Sequence, residues 1–376
     1  MEFVFNEEQQ MLADTVTRWL DADYDLESRR RFAAQQTLCQ ENWSRLTELG
    51  LLGLNVPEEH GGLGGTPVET FIVMQAFGRR LLVEPFLSTA VVAARLLADA
   101  DAGTQHGVVL KGIAEGSHRV ALAALEPGAR FDLADIRTSA VENSGDYVLD
   151  GRKAVVLHGD SAQSLVVSAR TSCGQRDREG VTLFLVDASL HGVTVKGFPT
   201  VDGQRAAEVE LSNVVVSPAA IIGQREFGYV PVERAVDAGI AALCAEAIGV
   251  MEKLMEFTAE HLRTRKQFGQ AIGRFQALQH RVADMQTAIE QARSMALLAA
   301  ARVDHSDRIE RRKALSAAKT MVGRAGRFVG EQAVQLHGAM GMTAELAVGW
   351  YFKRLTCIDM TWGNAEHHVE IYGDLL

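Results

Sequence analysis

Three long stretches of the chain repeat apolar residues at helical steps. Val230, Val236, Ile240, Leu243, Ala247, Met251, Leu254 and Leu262 form one series. Leu278, Val282, Met285, Ile289, Ala292, Ala296 and Ala299 form a second, and Leu315, Ala318, Val322, Ala325, Val329, Ala333 and Leu336 a third. Steps of three and four residues put each series on one face of a helix, and short connections between such helices predict an antiparallel bundle. Abundant alanine around Ala292 to Ala301 lets neighbouring helices, or subunits, approach closely. A last helix pair is expected over Ala344–Thr356 and Ala365–Leu375, broken at Gly363 and Asn364.

The helical period also governs the start of the chain. Asn6 is placed to cap a helix carrying Leu12, Val16, Trp19 and Leu20 on one face, with Glu7 and Glu8 in its first turn. Trp43, Leu46 and Leu49 mark another, closed by Gly50 and Gly53. Pro67 opens one through Phe71, Met74, Phe77 and Leu81, and a further helix is expected near Ala90 to Ala98. From about Arg119 the period shortens to valine-rich segments such as VALAALE, DYVLDGRKAVVLH, SLVVSAR and AEVELSNVVV, with a hairpin turn at Ser144, Gly145 and Asp146. The expected class is α+β, with an N-terminal helical domain (1–117), a middle β-domain (118–228) and a C-terminal helical bundle (229–376).

Composition narrows the partners. A formal charge of −10 argues against nucleic acid, whose binding rests on clustered Lys and Arg, and leaves room for a small anion held by local arginines. Cys39, Cys173, Cys244 and Cys357 are scattered without metal-ligand or disulfide-framework spacing, which suits a reducing cytoplasm and predicts no metal site. MEFVFNEEQQ lacks the basic and apolar regions of a signal peptide, and no apolar run reaches membrane-spanning length, so no membrane insertion is expected.

The chemistry is concentrated where the first long helix gives way to the second. Arg263, Arg265, Lys266, Gln267, Phe268, Gly269, Gly273, Arg274, Phe275 and Gln276 set cations and amides beside two rings. By composition this is either a solvated turn between helices or a site for an anion carrying a flat base, since guanidinium forks phosphate and rings stack. The order R-K-x-F-G-x-x-I-x-x-F-Q-x-x-x-H-x-x-A-D-M resembles the acyl-CoA dehydrogenase family. So do LGLLGLNVPEEHGGLGG (Leu49 to Gly65), ALEPGARFD (Ala124 to Asp132), DGRKAVVLHG (Asp150 to Gly159) and QLHGAMGMT (Gln335 to Thr343), in the family's order.

That resemblance implies a middle β-barrel-like domain, a C-terminal four-helix bundle, FAD as cofactor and α,β-dehydrogenation of an acyl-CoA thioester, with electron-transfer flavoprotein as acceptor. It assigns Arg265, Gln267, Phe268, Phe275, Gln276, Gln335, Leu336, Gly338 and Ala339 to the adenine-pyrophosphate end of FAD, reached across a subunit interface. Elsewhere the chain departs from the family. Leu125 replaces Thr before Glu-Pro-Gly, Arg130 and Phe131 replace Gly-Ser, and Val155 and Leu157 replace the aromatic and hydroxyl residues beside the flavin ring. His158 is either a compensating donor or a structural residue. Trp362 and Gly239 occupy the two positions where the family carries its catalytic carboxylate. Glu246, two turns after Gly239, is either a substitute base or one half of a buried ion pair. The pattern resembles the small subunit of heteromeric bacterial acyl-CoA dehydrogenases, implying a paralogous larger subunit that supplies the base. A homotetramer using Glu246 and a non-catalytic assembly or acyl-CoA-binding scaffold are the alternatives.

Overall fold

The computed structural model describes residues 5–34, 37–100, 104–343 and 345–376. In chain order the helices α1 (Glu7–Asp23), α2 (Leu26–Ala34), α3 (Gln40–Glu48), α4 (Pro67–Arg80), α5 (Ala94–Asp99) and α6 (Thr104–Ala114) come first. Strands β1 (Val120–Ala123), β2 (Ser139–Asn143), β3 (Asp146–Leu157), β4 (Ser164–Arg170), β5 (Val181–Asp187), β6 (Val193–Pro199), β7 (Arg205–Val216) and β8 (Ile221–Ile222) follow. The rest comprises α7 (Tyr229–Thr264), the short strands β9 (Lys266–Gln267) and β10 (Gln270–Ala271), and α8 (Gln276–Arg302), α9 (Arg308–His337), α10 (Val348–Met360) and α11 (Ala365–Asp374). The chain forms two compact units, one of Met1–Arg31, Pro67–Leu82 and Ile240–Leu376, the other of Phe32–Thr66 and Val83–Gly239.

In the first unit, Asn6 caps α1 through a reciprocal pair: its Oδ1 accepts from the Gln9 amide at 2.8 Å, and the Gln9 side chain accepts from the Asn6 amide at 3.1 Å. Val16, Trp19 and Leu20 are buried, and the Trp19 ring meets Phe77 of α4 edge-on at 6.4 Å. Helix α7 differs from the one-faced helix that its apolar series predicts: residues 240–251 are buried on every side, while Val230, counted into that series, is exposed. Helix α4 covers one side by close approach, and α10 reaches the same segment at Glu246. A β-carbon at Gly78 would lie 2.0 Å from the Glu246 carbonyl oxygen, and one at Gly249 1.9 Å from that of Gln75. Only glycines allow this crossing. Along α9, Gly326 and Gly330 leave the room that Leu355 and Phe352 of α10 fill. Helix α10 starts at Val348, later than expected, and runs on to Met360; Ala344 lies outside the described residues. Trp362 (φ 55°) and Gly363 (φ 113°) then turn the chain, and Asn364 caps α11 by accepting from the His367 amide at 3.0 Å.

In the second unit, β6, β7, β3, β2, β4, β5 and β8 lie in that order, with β1 parallel to β4. Ser144 and Gly145 (φ 56° and 94°) make a two-residue turn of primed type between β2 and β3, whose left-handed residues match the strand twist. Leu149, Leu165, Val167, Phe184, Val209 and Leu211 fill the interior. Helical winding begins earlier than the expected Ala90, with wide π-helical turns over Leu87–Ala93 leading into α5. Within this interior lies an ion pair that the apolar pattern does not announce. The fully buried Lys153 Nζ donates to Glu126 Oε1 at 2.7 Å and to Ser168 Oγ at 3.2 Å, and the Glu126 carboxylate accepts from the Arg137 and Thr138 amides at 2.7 and 3.0 Å. Burial pushes the Lys153 ammonium down to about 8. Burial also acts to raise Glu126, but the Lys153 charge and the hydrogen bonds outweigh it and hold the carboxyl below its ordinary value.

Breaking such a pair strands the remaining charge, so Lys153→Met should lower stability by about 3–5 kcal/mol in denaturant unfolding at neutral pH. Without the ammonium, burial raises Glu126 above its unfolded value, and the variant then takes up a proton on folding and gains from acid. The native protein instead loses stability as pH falls through the depressed Glu126 pKa. The deficit should therefore narrow towards pH 4; a constant deficit would show that the charges are uncoupled.

Candidate functional site

The basic corner folds as a tight hairpin. Lys266 and Gln267 pair with Ala271 and Gln270, and Phe268 and Gly269 form the turn with φ of 53° and 78°. Left-handed backbone costs a non-glycine residue about 1–2 kcal/mol, and here the strain holds a ring that is 90% exposed. Phe275 meets that ring edge-on at 6.0 Å and leads directly into α8, so Gln276 stands at a helix N-terminus, where unsatisfied amides favour an anion. Arg265, Lys266, Gln267 and Arg274 are exposed, and the three cations among them have no ion-pair partner among the described residues.

The Gln335 segment lies at the same end of the bundle. The His261 ring, in the last turn of α7, stacks on His337, in the last turn of α9, at 4.4 Å. His337 Nδ1 donates to the Ala333 carbonyl at 2.8 Å. Burial, then the His337 and Arg265 charges, lower the His261 pKa. Helix α8 is tied in by Arg281, which donates to the Gln332 side chain at 2.7 Å. Gln335, Gly338 and Ala339 are exposed, and a β-carbon at Gly338 (φ 64°) would meet nothing within 4 Å, so a ligand can reach this backbone. Leu336 turns its side chain into the core and offers the surface only main chain. Exposed unpaired cations, a helix N-terminus and open glycine backbone are what the pyrophosphate and adenine of FAD require, and this end fits the cofactor. The His261–His337 stack that joins the two segments was not singled out from sequence, because nothing in either segment signals contact between helices so far apart in the chain.

The two β-signatures run edge to edge in the second unit. The Ala154 amide donates to the Leu125 carbonyl at 2.9 Å, and the Lys153–Glu126 pair bolts the segments together beneath. Above it, Val155 sits on a bulge of β3 with φ 52° and is half exposed, and Arg130, also at φ 52°, is exposed. Leu125, Val155 and Leu157 offer a flavin ring no side-chain hydrogen bond, leaving backbone alone. His158 adopts φ 52°, and its Nε2 lies 3.1 Å from the Gln204 side-chain oxygen.

Neither Gly239 nor Trp362, the residues that the resemblance sets at the family's base positions, is a carboxylate. Gly239 is buried in α7. Trp362 lies in a segment fixed from beneath by Lys319, whose fully buried Nζ donates to the carbonyls of Ile358 (2.6 Å), Asp359 (2.9 Å), Thr361 (3.1 Å) and Gly363 (3.0 Å), closing the C-terminus of α10. Burial holds the Lys319 pKa down to about 8. His368 Nε2 donates to the Trp362 carbonyl at 3.2 Å and its Nδ1 accepts from Ser316, while burial and the Lys319 charge push its pKa to about 2. Glu246 is engaged by Arg354 of α10, whose Nε and Nη2 donate to its two carboxylate oxygens at 2.6 Å each, with both side chains buried. Glu366 and Glu370 are exposed.

Comparison with known proteins accounts for nearly the whole chain. Residues 6–117 match the acyl-CoA dehydrogenase N-terminal domain, 121–214 the middle domain and 228–376 the C-terminal domain. The chain is 26% identical to the probable acyl-CoA dehydrogenase YngJ of Bacillus subtilis over 373 residues, covering 97% of each. It superposes on a chain of the ChsE4-ChsE5 complex from Mycobacterium tuberculosis with TM-score 0.89 and 26% identity, covering 100% of this chain and 98% of that one. A chain of the Tcur3481-Tcur3483 steroid acyl-CoA dehydrogenase, in a variant form, gives TM-score 0.87 and 28% identity, covering 98% and 97%. The chain belongs to the acyl-CoA dehydrogenase family, FAD-dependent oxidoreductases that act on acyl-CoA thioesters.

Proposed function

We propose that this chain is the base-lacking subunit of a heteromeric acyl-CoA dehydrogenase. In this reading its corner and Gln335 segment complete the adenine-pyrophosphate end of an FAD whose ring is held by a paralogous, larger subunit. The observation that carries the proposal is the fate of Glu246: the carboxylate that could have served as a substitute base is spent in a bidentate contact with Arg354. Meanwhile Arg265 and its neighbours keep their charges free at the surface. Two similar structures, the ChsE4-ChsE5 complex and Tcur3481-Tcur3483, each carry the names of two proteins, which supports a paired assembly.

Bound FAD supplies the acceptor for the hydride leaving the β-carbon of the thioester, and electron-transfer flavoprotein then takes the electrons onward. The chain's own contribution is to bind and orient. Arg265 would fork the pyrophosphate, with the Gln276 amide and the Gly338 backbone beside it, and Phe268 would cover the adenosine. The partner supplies the carboxylate that removes the α-proton. Cytoplasmic location belongs to the same proposal.

Charge-assisted hydrogen bonds contribute about 1.5–3 kcal/mol, so Arg265→Ala should weaken FAD retention in the co-expressed complex by roughly tenfold to somewhat over a hundredfold. Flavin absorbance after dialysis reads this directly, and retention equal to the unmutated complex would leave the hairpin as a plain helix connection. Expressed alone, the chain should be nearly colourless; one FAD per chain with acyl-CoA turnover would favour a homomeric enzyme. A complex that never holds a reducible flavin would point to a scaffold.

Glu246→Gln separates base from bridge. As a bridge it should lose about 1–3 kcal/mol of stability while the assembled complex keeps most of its turnover. Collapse of turnover at an unchanged melting temperature would make Glu246 the base.

A further inference from the structure

The second unit holds a cavity of about 340 Å³ that none of the preceding chemistry uses. Its apolar wall includes Phe32, Leu38, Val83 and Pro85, and Arg119 stands on its polar side. The volume lies in the range of small-molecule sites, which combine an apolar lining with a few placed polar groups.

Arg119 is held as a preformed anchor. Its Nε donates to the Ser161 carbonyl at 2.7 Å, its amide donates to the Gln163 side chain at 2.7 Å, and its guanidinium lies over the Trp43 ring, 5.9 Å from the centroid. Its two terminal nitrogens have no acceptor among the described residues. Of the other charges lining the cavity, Asp160 pairs through Oδ2 with Arg205 at 2.5 Å, its Oδ1 having no hydrogen-bond partner among the described residues, and the buried Glu84 accepts from Asn42 at 2.6 Å. His158 is bonded to Gln204. The free edge of Arg119 therefore faces a cavity of mixed lining, apolar at Phe32, Leu38, Val83 and Pro85, and a half-buried cation gains most from a planar anion that fits its fork.

We propose that this cavity binds a carboxylate with an apolar tail, of the size of a medium-chain fatty acid, with the carboxylate on the free edge of Arg119 and the tail between Phe32, Leu38 and Pro85. The site is independent of which subunit carries the base.

Cys39 lines the same cavity and is partly exposed, whereas Cys173 is exposed elsewhere on the unit, so alkylation gives a local readout. The full chain, with any subunit that co-purifies, is treated with iodoacetamide in the presence of octanoate or 1-octanol, and modification of the Cys39 and Cys173 peptides is followed by mass spectrometry. Octanoate should slow alkylation of Cys39 and leave Cys173 unchanged. In Arg119→Gln the octanoate concentration needed should rise roughly tenfold or more, while octanol should protect weakly and equally in both. Should Arg119→Gln fail to fold, Ala33→Leu narrows the cavity with the arginine retained and should abolish protection. Unprotected Cys39, equal protection by octanol, or protection that survives either substitution would overturn the proposal.

Discussion

From Ile240 to Met251, helix α7 meets no solvent on any side, and Glu246 is the one charged residue in that run. A carboxylate there is stable only with a partner of opposite charge and good geometry, since the desolvation of a lone ion exceeds anything the surrounding alanines return. Arg354 meets that demand from α10, and the same turn of α7 is pressed against α4 by the approach at Gly78. One buried charge thus ties α10 to α7. The proposed function leans on the same contact, because both oxygens of the Glu246 carboxylate are already taken by the guanidinium.

The other buried cations obey the same rule with different oxygens. Lys153 takes a carboxylate, and so binds together the two segments that would edge a flavin ring. Lys319 takes a group of carbonyls at the end of α10, where helix carbonyls lack amide partners, and so fixes the turn that carries Trp362. Both are frame rather than chemistry. Among the described residues, Arg265, Lys266 and Arg274 at the hairpin have no ion-pair partner, and Arg119 at the cavity keeps its terminal nitrogens open. Buried charges that are matched build the molecule.

Strain adds a second marker. Phe268, Val155, Arg130 and Trp362 all hold left-handed backbone without being glycine. The first three lie on the corner and the β-signatures, and the fourth at a family base position. Such conformations persist only where the surroundings dictate them. At Phe268 the surroundings are a two-residue turn whose geometry requires positive φ at both positions, and the outcome is an aromatic ring presented almost wholly to solvent.

What could be read from residue order was everything carried by local period and local motif: the helices and their caps, the β-segment and its Ser144–Gly145 turn, and the family likeness with its anchor motif. Periodicity is written along the chain because each helix or strand meets its own buried face at a fixed step. The sequence also showed what is missing at Gly239 and Trp362, since a motif position is empty whatever surrounds it. Tertiary structure alone decided whether Glu246 stands free or paired, because its partner lies 108 positions away and either role asks for the same residue in the same helix. It alone brought His261 to His337, buried the middle of α7 on every side where period suggested one apolar face, and left the terminal nitrogens of Arg119 without an acceptor among the described residues. Each of these depends on which distant surfaces meet. A charge records its own need for a partner in the sequence, but whether that need is met is settled only when the chain has packed.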